Sequence, residues 1–99
     1  MTFYSVMAIT PTDDSWVPEY MRAIKGLVDK HHGQFLARTN RHQRLEGRGE
    51  DAAVRIIVAW PSKQAALDFL NDAEYAPHLA ARSRGAINHH FLIEGCVNL

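Results

Sequence analysis

Apolar residues in the first third of the chain change from strand-like to helix-like spacing. The segment Thr2–Thr10 is short, β-prone and apolar on both alternating faces, and Pro11 ends it. Apolar positions then recur at helical spacing from Val17 to His31, which predicts an amphipathic helix. Gly33 follows directly, and we expect it to close this helix in a left-handed conformation.

The rest of the chain predicts two strands, a broken helical region and a final strand. The two strands are expected at Gln34–Glu46 and Ala53–Trp60, with a glycine-containing turn between them. Ser62 is placed to cap a helix that carries Ala65–Leu70, and a second helical piece follows it. The last strand covers Ile87–Glu94. The whole order is therefore strand, helix, strand, strand, helix, strand.

This order predicts an α+β, ferredoxin-like βαββαβ fold, in which a four-stranded antiparallel sheet carries its helices on one face. The predicted first strand has Phe3, Met7 and Ile9 on one face and Tyr4, Val6 and Ala8 on the other, so whichever face the helices leave open is apolar. An apolar open face needs a cover, and the simplest cover is the same face of a second copy. We therefore expect a homodimer that pairs through its open sheet faces into a dimeric α/β barrel.

Composition limits the classes of partner and compartment. Residues 1–99 are expected to form a single domain, since 46% apolar and 22% charged residues are ordinary globular values. Eleven basic and eleven acidic side chains give no net field for nucleic acid or membrane, so neither is expected as a partner. Cys96 has no second cysteine to pair with, and the first residues lack the pattern of a signal peptide. We expect a cytoplasmic protein.

Several motifs together resemble a known family. They are the runs HHGQFLAR, RLEG and HHFLIEG, the Pro61-Ser62 helix entry, the Glu74-Tyr75 pair and Arg82 before the last strand. In these motifs, over nearly its whole length, the chain resembles domain-of-unknown-function family 1330, small bacterial proteins of the dimeric α/β-barrel superfamily. The resemblance implies a homodimer with a cleft between each sheet and its helices. It implies no particular reaction, because the superfamily includes cofactorless monooxygenases, lactone isomerases and haem enzymes.

The second helical piece carries the candidate catalytic residues. His78 and Arg82 stand four residues apart on one helix face, and Tyr75 precedes His78 by three residues. Together they offer a hydrogen-bond donor, a proton carrier and an anion clamp for a carboxylate or enolate. The alternative is that Arg82 pairs with an acid such as Glu94 and that Tyr75 is a core residue.

Three further residues are candidate ligand contacts. Trp60 ends the central strand, where it can form the wall of an aromatic pocket, and Tyr20 lies on the predicted first helix. Neighbouring strand residues face opposite ways, so one of His89 and His90 must point toward the cleft. We take His90 as the candidate and leave the choice between the two open.

Histidines and arginines suggest other ligands, but their spacing is unfavourable. The adjacent His89 and His90 cannot hold one ion, and no metal or cofactor site is expected. A run of basic residues begins within the predicted second strand, and it could attract a phosphorylated or carboxylated ligand. We favour a solvated strand arm, with a role in embracing a dimer partner. Its members are Arg38, Arg41, His42, Arg44 and Arg48.

Three functions remain open at this level. The first is a cofactor-independent enzyme that acts on a small acidic or aromatic metabolite in the sheet–helix cleft. The second is a non-catalytic homodimer that binds or senses a small molecule. The third is a haem-binding dimeric barrel. Analogy with the superfamily favours the first.

Overall fold

A computed structural model describes residues 1–99 and has the predicted α+β, ferredoxin-like order. The sheet is antiparallel throughout, with strand order β2-β3-β1-β4. None of the helices has both the length and the apolar character needed to span a bilayer. The elements are β1 (Phe3–Pro11), α1 (Val17–Lys30), β2 (Gln34–Thr39), β3 (Val54–Trp60), α2 (Lys63–Leu70), α3 (Ala76–Gly85) and β4 (Ala86–Glu94).

The buried core lies between the sheet and the helices. Every second residue of β1 and β3 is buried on this side, and the residues between them lie on the open face. Helix α1 contributes a buried stripe at helical spacing. Ser62 caps α2 as predicted, because its Oγ accepts a hydrogen bond of 3.1 Å from the Ala65 backbone N–H. The main core residues from β1, β3 and α1 are Met7, Ile9, Ile56, Val58, Trp60, Tyr20, Ile24, Leu27 and Val28.

The end of α1 differs from the prediction. His32, and not Gly33, adopts the left-handed conformation, with a φ of 63°. Gly33 is required for a different reason, since a Cβ there would lie 2.6 Å from Cζ3 of Trp60 and 2.8 Å from Cγ1 of Val28. The glycine therefore allows the chain to pass directly over the Trp60 ring.

The second strand is shorter than the sequence predicted. Strand β2 ends at Thr39, and residues 40–53 form an irregular connection to β3. The Thr39 hydroxyl accepts a 2.9 Å hydrogen bond from the Arg41 backbone N–H, which turns the chain out of the strand. Further along, Arg44 bonds the Gly49 carbonyl and the Asp51 carboxylate, at 2.8 and 2.6 Å. Local side-chain bonds thus replace a β-ladder. Residues 40–50 are mostly exposed, as predicted, but they are not part of a strand.

Candidate functional site

A cavity of about 510 Å³ lies between the helix-facing side of the sheet and α1. Most of its 22 lining residues are hydrophobic, so the walls favour an apolar or aromatic occupant. Polar groups converge on it from several elements far apart in the chain. The apolar walls come mainly from Met7, Ile9, Ile24, Val28, Ile56 and Val58.

Two tyrosines form a hydrogen-bonded pair in the cavity wall. Tyr20 comes from α1, and Tyr75 is the residue before α3. Their hydroxyl oxygens are 2.8 Å apart, and both side chains are buried. Burial is the main cause that raises the pKa of Tyr75, so its hydroxyl stays protonated. Each tyrosine has one O–H group, and the hydrogen bond between the two tyrosines uses only one of these groups. The other O–H can therefore donate a hydrogen bond to a ligand.

Arg82 is buried behind this tyrosine pair. Only 4% of the residue is exposed, and its Nη1 donates a 3.2 Å hydrogen bond to the Tyr20 hydroxyl. Its Nε is buried without an acceptor, and the guanidinium takes part in none of the ion pairs. The alternative in which Arg82 pairs with Glu94 is therefore wrong. A buried cation without a carboxylate is costly, and here it polarises a phenol that faces a cavity.

His90 reaches the same cavity from β4 and is held by a serine. Its Nε2 lies 2.8 Å from Oγ of Ser5, which also accepts a 2.9 Å bond from Nε1 of Trp60. Burial, and secondarily the charge of Arg82, lower the pKa of His90 below its usual value of 6.5. The imidazole is therefore neutral at neutral pH, and Nδ1 has no partner in the protein. His89 lies on the open face, which answers the question that the sequence left open.

The structure brings together four of the six predicted site residues. Tyr20, Trp60, Tyr75 and His90 all line the cavity, and Arg82 touches it only through Tyr20. His78 is not among the lining residues; its ring stacks edgewise on Tyr20, with 6.4 Å between centroids. The predicted Tyr75-His78-Arg82 face is therefore divided between the cavity wall, the cavity exterior and the layer behind Tyr20. The catalytic roles of these residues stay predictions.

Three residues of the site were not identified as such from the sequence. Ser5 is the one polar residue at an inward position of the apolar strand β1, and that signal was available. Arg38 lines the cavity from within β2, opposite the buried Ile56, and Arg41 lines it from just beyond the strand end; the sequence showed both only as members of a basic run. The structure contains no group of three or more His, Cys, Asp or Glu side chains that would hold a metal ion.

Comparison with protein-family models assigns the chain to a family. The model described as "Domain of unknown function (DUF1330)" matches residues 2–96. The chain belongs to the DUF1330 family. Its resemblance to this family is thus confirmed, and no curated protein matches the sequence.

Solved structures share the fold of this DUF1330 protein. A protein of unknown function from Rhodopseudomonas palustris superposes with a TM-score of 0.80 at 13% identity, over 98% of this chain and 84% of that chain. SnoaB, a cofactor-independent oxygenase from Streptomyces nogalater, gives a TM-score of 0.58 at 17% identity, over 99% of this chain and 94% of that chain. A conserved protein from Methanosarcina mazei gives 0.54 at 13% identity, over 95% and 93% of the two chains. At these identities the likeness shows the fold alone.

Proposed function

We propose that this DUF1330 protein is a cofactor-independent enzyme that acts on a small acidic or aromatic metabolite in the sheet–helix cavity. The observation that carries the proposal is the buried Arg82, which has no carboxylate partner and bonds a tyrosine in the cavity wall. A fold gains nothing in stability from a buried, unpaired cation. Such a group is typical of a site where negative charge develops during a reaction.

His90 is the proposed proton acceptor. The Ser5 oxygen accepts the Trp60 N–H and, in the tautomer that we propose, also the Nε2–H of His90. In this tautomer the lone pair of Nδ1 is free to accept a proton. The neutral imidazole then takes a proton from a substrate O–H, or from a C–H next to a carbonyl.

The tyrosine pair is proposed to stabilise the anion that this proton transfer creates. The electron pair left on the substrate oxygen accepts the spare phenolic O–H of Tyr20 or Tyr75. Arg82 strengthens that donor, because its positive charge polarises the Tyr20 hydroxyl and both side chains are buried. The activity of SnoaB as a cofactor-independent oxygenase supports the idea that this fold accommodates such chemistry.

A thermal-shift screen against phenols, hydroxy-aromatic acids and other small carboxylates tests the proposal. A ligand at a hundred times its dissociation constant adds about 2.7 kcal/mol to the free energy of unfolding. For a domain of this size we expect a rise in the midpoint on the order of 10 °C. Mass spectrometry of each stabilising compound after incubation in air then shows whether it is converted.

Two tryptophan substitutions test whether the ligand binds in the cavity. Met21 lines the cavity and is 43% exposed, whereas Leu36 is 53% exposed and lies outside it. We expect Met21→Trp to fill the cavity and abolish the shift, and Leu36→Trp to preserve it. A shift without conversion would support the non-catalytic binding protein instead. No shift with any compound would contradict a ligand site.

We further propose that two copies pair through their open sheet faces. Apolar side chains from three strands are exposed there, and Phe91 is 68% exposed. A patch of this kind on a small protein is typical of an interface. The same face on a second copy is self-complementary about a two-fold axis, and the resemblance to dimeric α/β barrels supports it. The exposed members are Val6, Ile57, Ile87, Phe91 and Ile93.

Phe91→Glu tests this pairing. It places a charge in the proposed interface, and we expect sedimentation velocity to show a dimer for the wild type and a monomer for the variant. Leu45→Glu is the matched control, because Leu45 is exposed in the irregular connection, away from the sheet. A monomeric wild type at micromolar concentration would contradict the pairing.

A further inference from the structure

The cavity has a second polar end, formed where β2 stops. Arg38, Thr39, Asn40 and Arg41 all line it. They are consecutive residues at the end of one edge strand. The other polar groups come from elsewhere: Tyr20 from α1, Tyr75 from the position before α3, and His90 from β4. The occupant of the cavity therefore meets a phenol pair and an imidazole on some sides and two guanidinium groups on another.

Neutral contacts position the Arg38 side chain and the Arg41 backbone. The Arg38 guanidinium lies over the Phe35 ring, with 4.6 Å from its carbon to the ring centroid. The backbone of Arg41 is fixed by the bond from its N–H to the Thr39 hydroxyl. Phe35 and Thr39 themselves line the cavity, so these contacts place the Arg38 guanidinium and the Arg41 backbone at its edge.

Neither arginine is neutralised by an acid of the protein. The ion pairs of the irregular connection join Arg44 to Asp51, at 2.6 Å, and Arg55 to the same carboxylate, at 3.8 Å. Arg38 and Arg41 take part in no ion pair. Their ten N–H donors in fork geometry are the arrangement that planar anions such as carboxylates prefer.

We propose that Arg38 and Arg41 form a carboxylate-binding subsite at the edge of the cavity. An aromatic carboxylate would place its acid group on these two guanidinium groups and its ring between the apolar walls. The deeper Arg82 is a poor alternative for the carboxylate, because it does not line the cavity and its Nη1 is engaged by Tyr20. The inference rests on the proposed function and deepens it: the ligand is both aromatic and acidic, and it binds in one direction.

The test compares 2-naphthoate with its uncharged analogue 2-naphthamide by isothermal titration. The two compounds share a ring system and differ in charge. We expect the wild type to prefer the acid by about 10- to 100-fold, since charge-assisted bidentate bonds are the strong class. The double variant Arg38→Gln and Arg41→Gln should lose this preference and keep the affinity for the amide. Arg48→Gln is the control, because Arg48 carries the same charge in the same connection but does not line the cavity.

The outcomes separate the subsite from the proposed function. Equal affinity of the wild type for acid and amide would overturn the subsite, although ring binding would still support the cavity as a ligand site. An equal loss in Arg48→Gln would also overturn it, because general electrostatic attraction would then explain the preference. If Tyr20→Phe removed the preference and the double arginine variant did not, the acid would lie inside the cavity and the orientation would be wrong. Failure of both compounds to bind would count against the subsite and the ligand site together.

Discussion

Replacing Arg82 by methionine is expected to raise the free energy of unfolding by about 1–2 kcal/mol, because an apolar side chain of similar length removes a buried charge that has no carboxylate partner. The midpoint of thermal unfolding should then rise by roughly 4–8 °C per kcal/mol. The same substitution should lower turnover by about 10²–10³-fold, since it removes the charge that polarises the Tyr20 hydroxyl. A gain in stability with a loss of activity is the signature of a functional residue.

Urea denaturation measures the change in stability, steady-state kinetics measures the change in turnover, and an NMR titration of His90 gives a further readout of the Arg82 charge. The positive charge of Arg82 is the second cause that lowers the pKa of His90, so this pKa should rise in Arg82→Met. Arg84→Met provides the control, because Arg84 lies on the same helix but is exposed, and none of these quantities should change. A large loss of stability in Arg82→Met would show that the arginine supports the fold, and the proposed role would be wrong.

Replacing His90 by glutamine is expected to reduce kcat by about 10²–10⁴-fold, the usual contribution of a positioned general base. Glutamine retains a polar group that can bond Ser5, so the fold should tolerate the change. His89→Gln makes the same substitution one residue earlier, on the open face, and should leave kcat unchanged. Circular dichroism and the midpoint of thermal unfolding verify that both variants are folded.

The dependence of kcat/KM on pH gives an independent check of this role. A base works only when it is unprotonated, so activity should rise with pH through the pKa of His90 and then reach a plateau. Because burial lowers that pKa, the midpoint of the rise should lie below 6.5. The rise should disappear in His90→Gln. A bell-shaped dependence of kcat/KM centred well above pH 7 would assign the base to another group. An unchanged pH profile in His90→Gln would do the same.

The order of elements in this protein follows from local patterns in the sequence. Side-chain periodicity distinguishes the strand-like residues of β1 and β3 from the helical stripe of α1, and Ser62 and the prolines near helix starts mark boundaries. These signals act within a few residues, and the α+β fold that they predicted is confirmed. The predicted end of the second strand failed because the hydroxyl of Thr39 and the side chain of Arg44 bond nearby groups, which no alternation pattern records.

Only the tertiary structure decided which side chains meet. The bond from Arg82 to Tyr20 joins residues 62 positions apart, and the contact between Ser5 and His90 joins residues 85 apart. Helix packing excluded His78 from the cavity and buried Arg82 behind a phenol, although the two residues share a helix face. By itself the sequence determined the elements, their order and the family, because those depend on local spacing. The cavity, its tyrosine pair and its arginine edge depend on contacts between distant segments, which form only when the chain is folded.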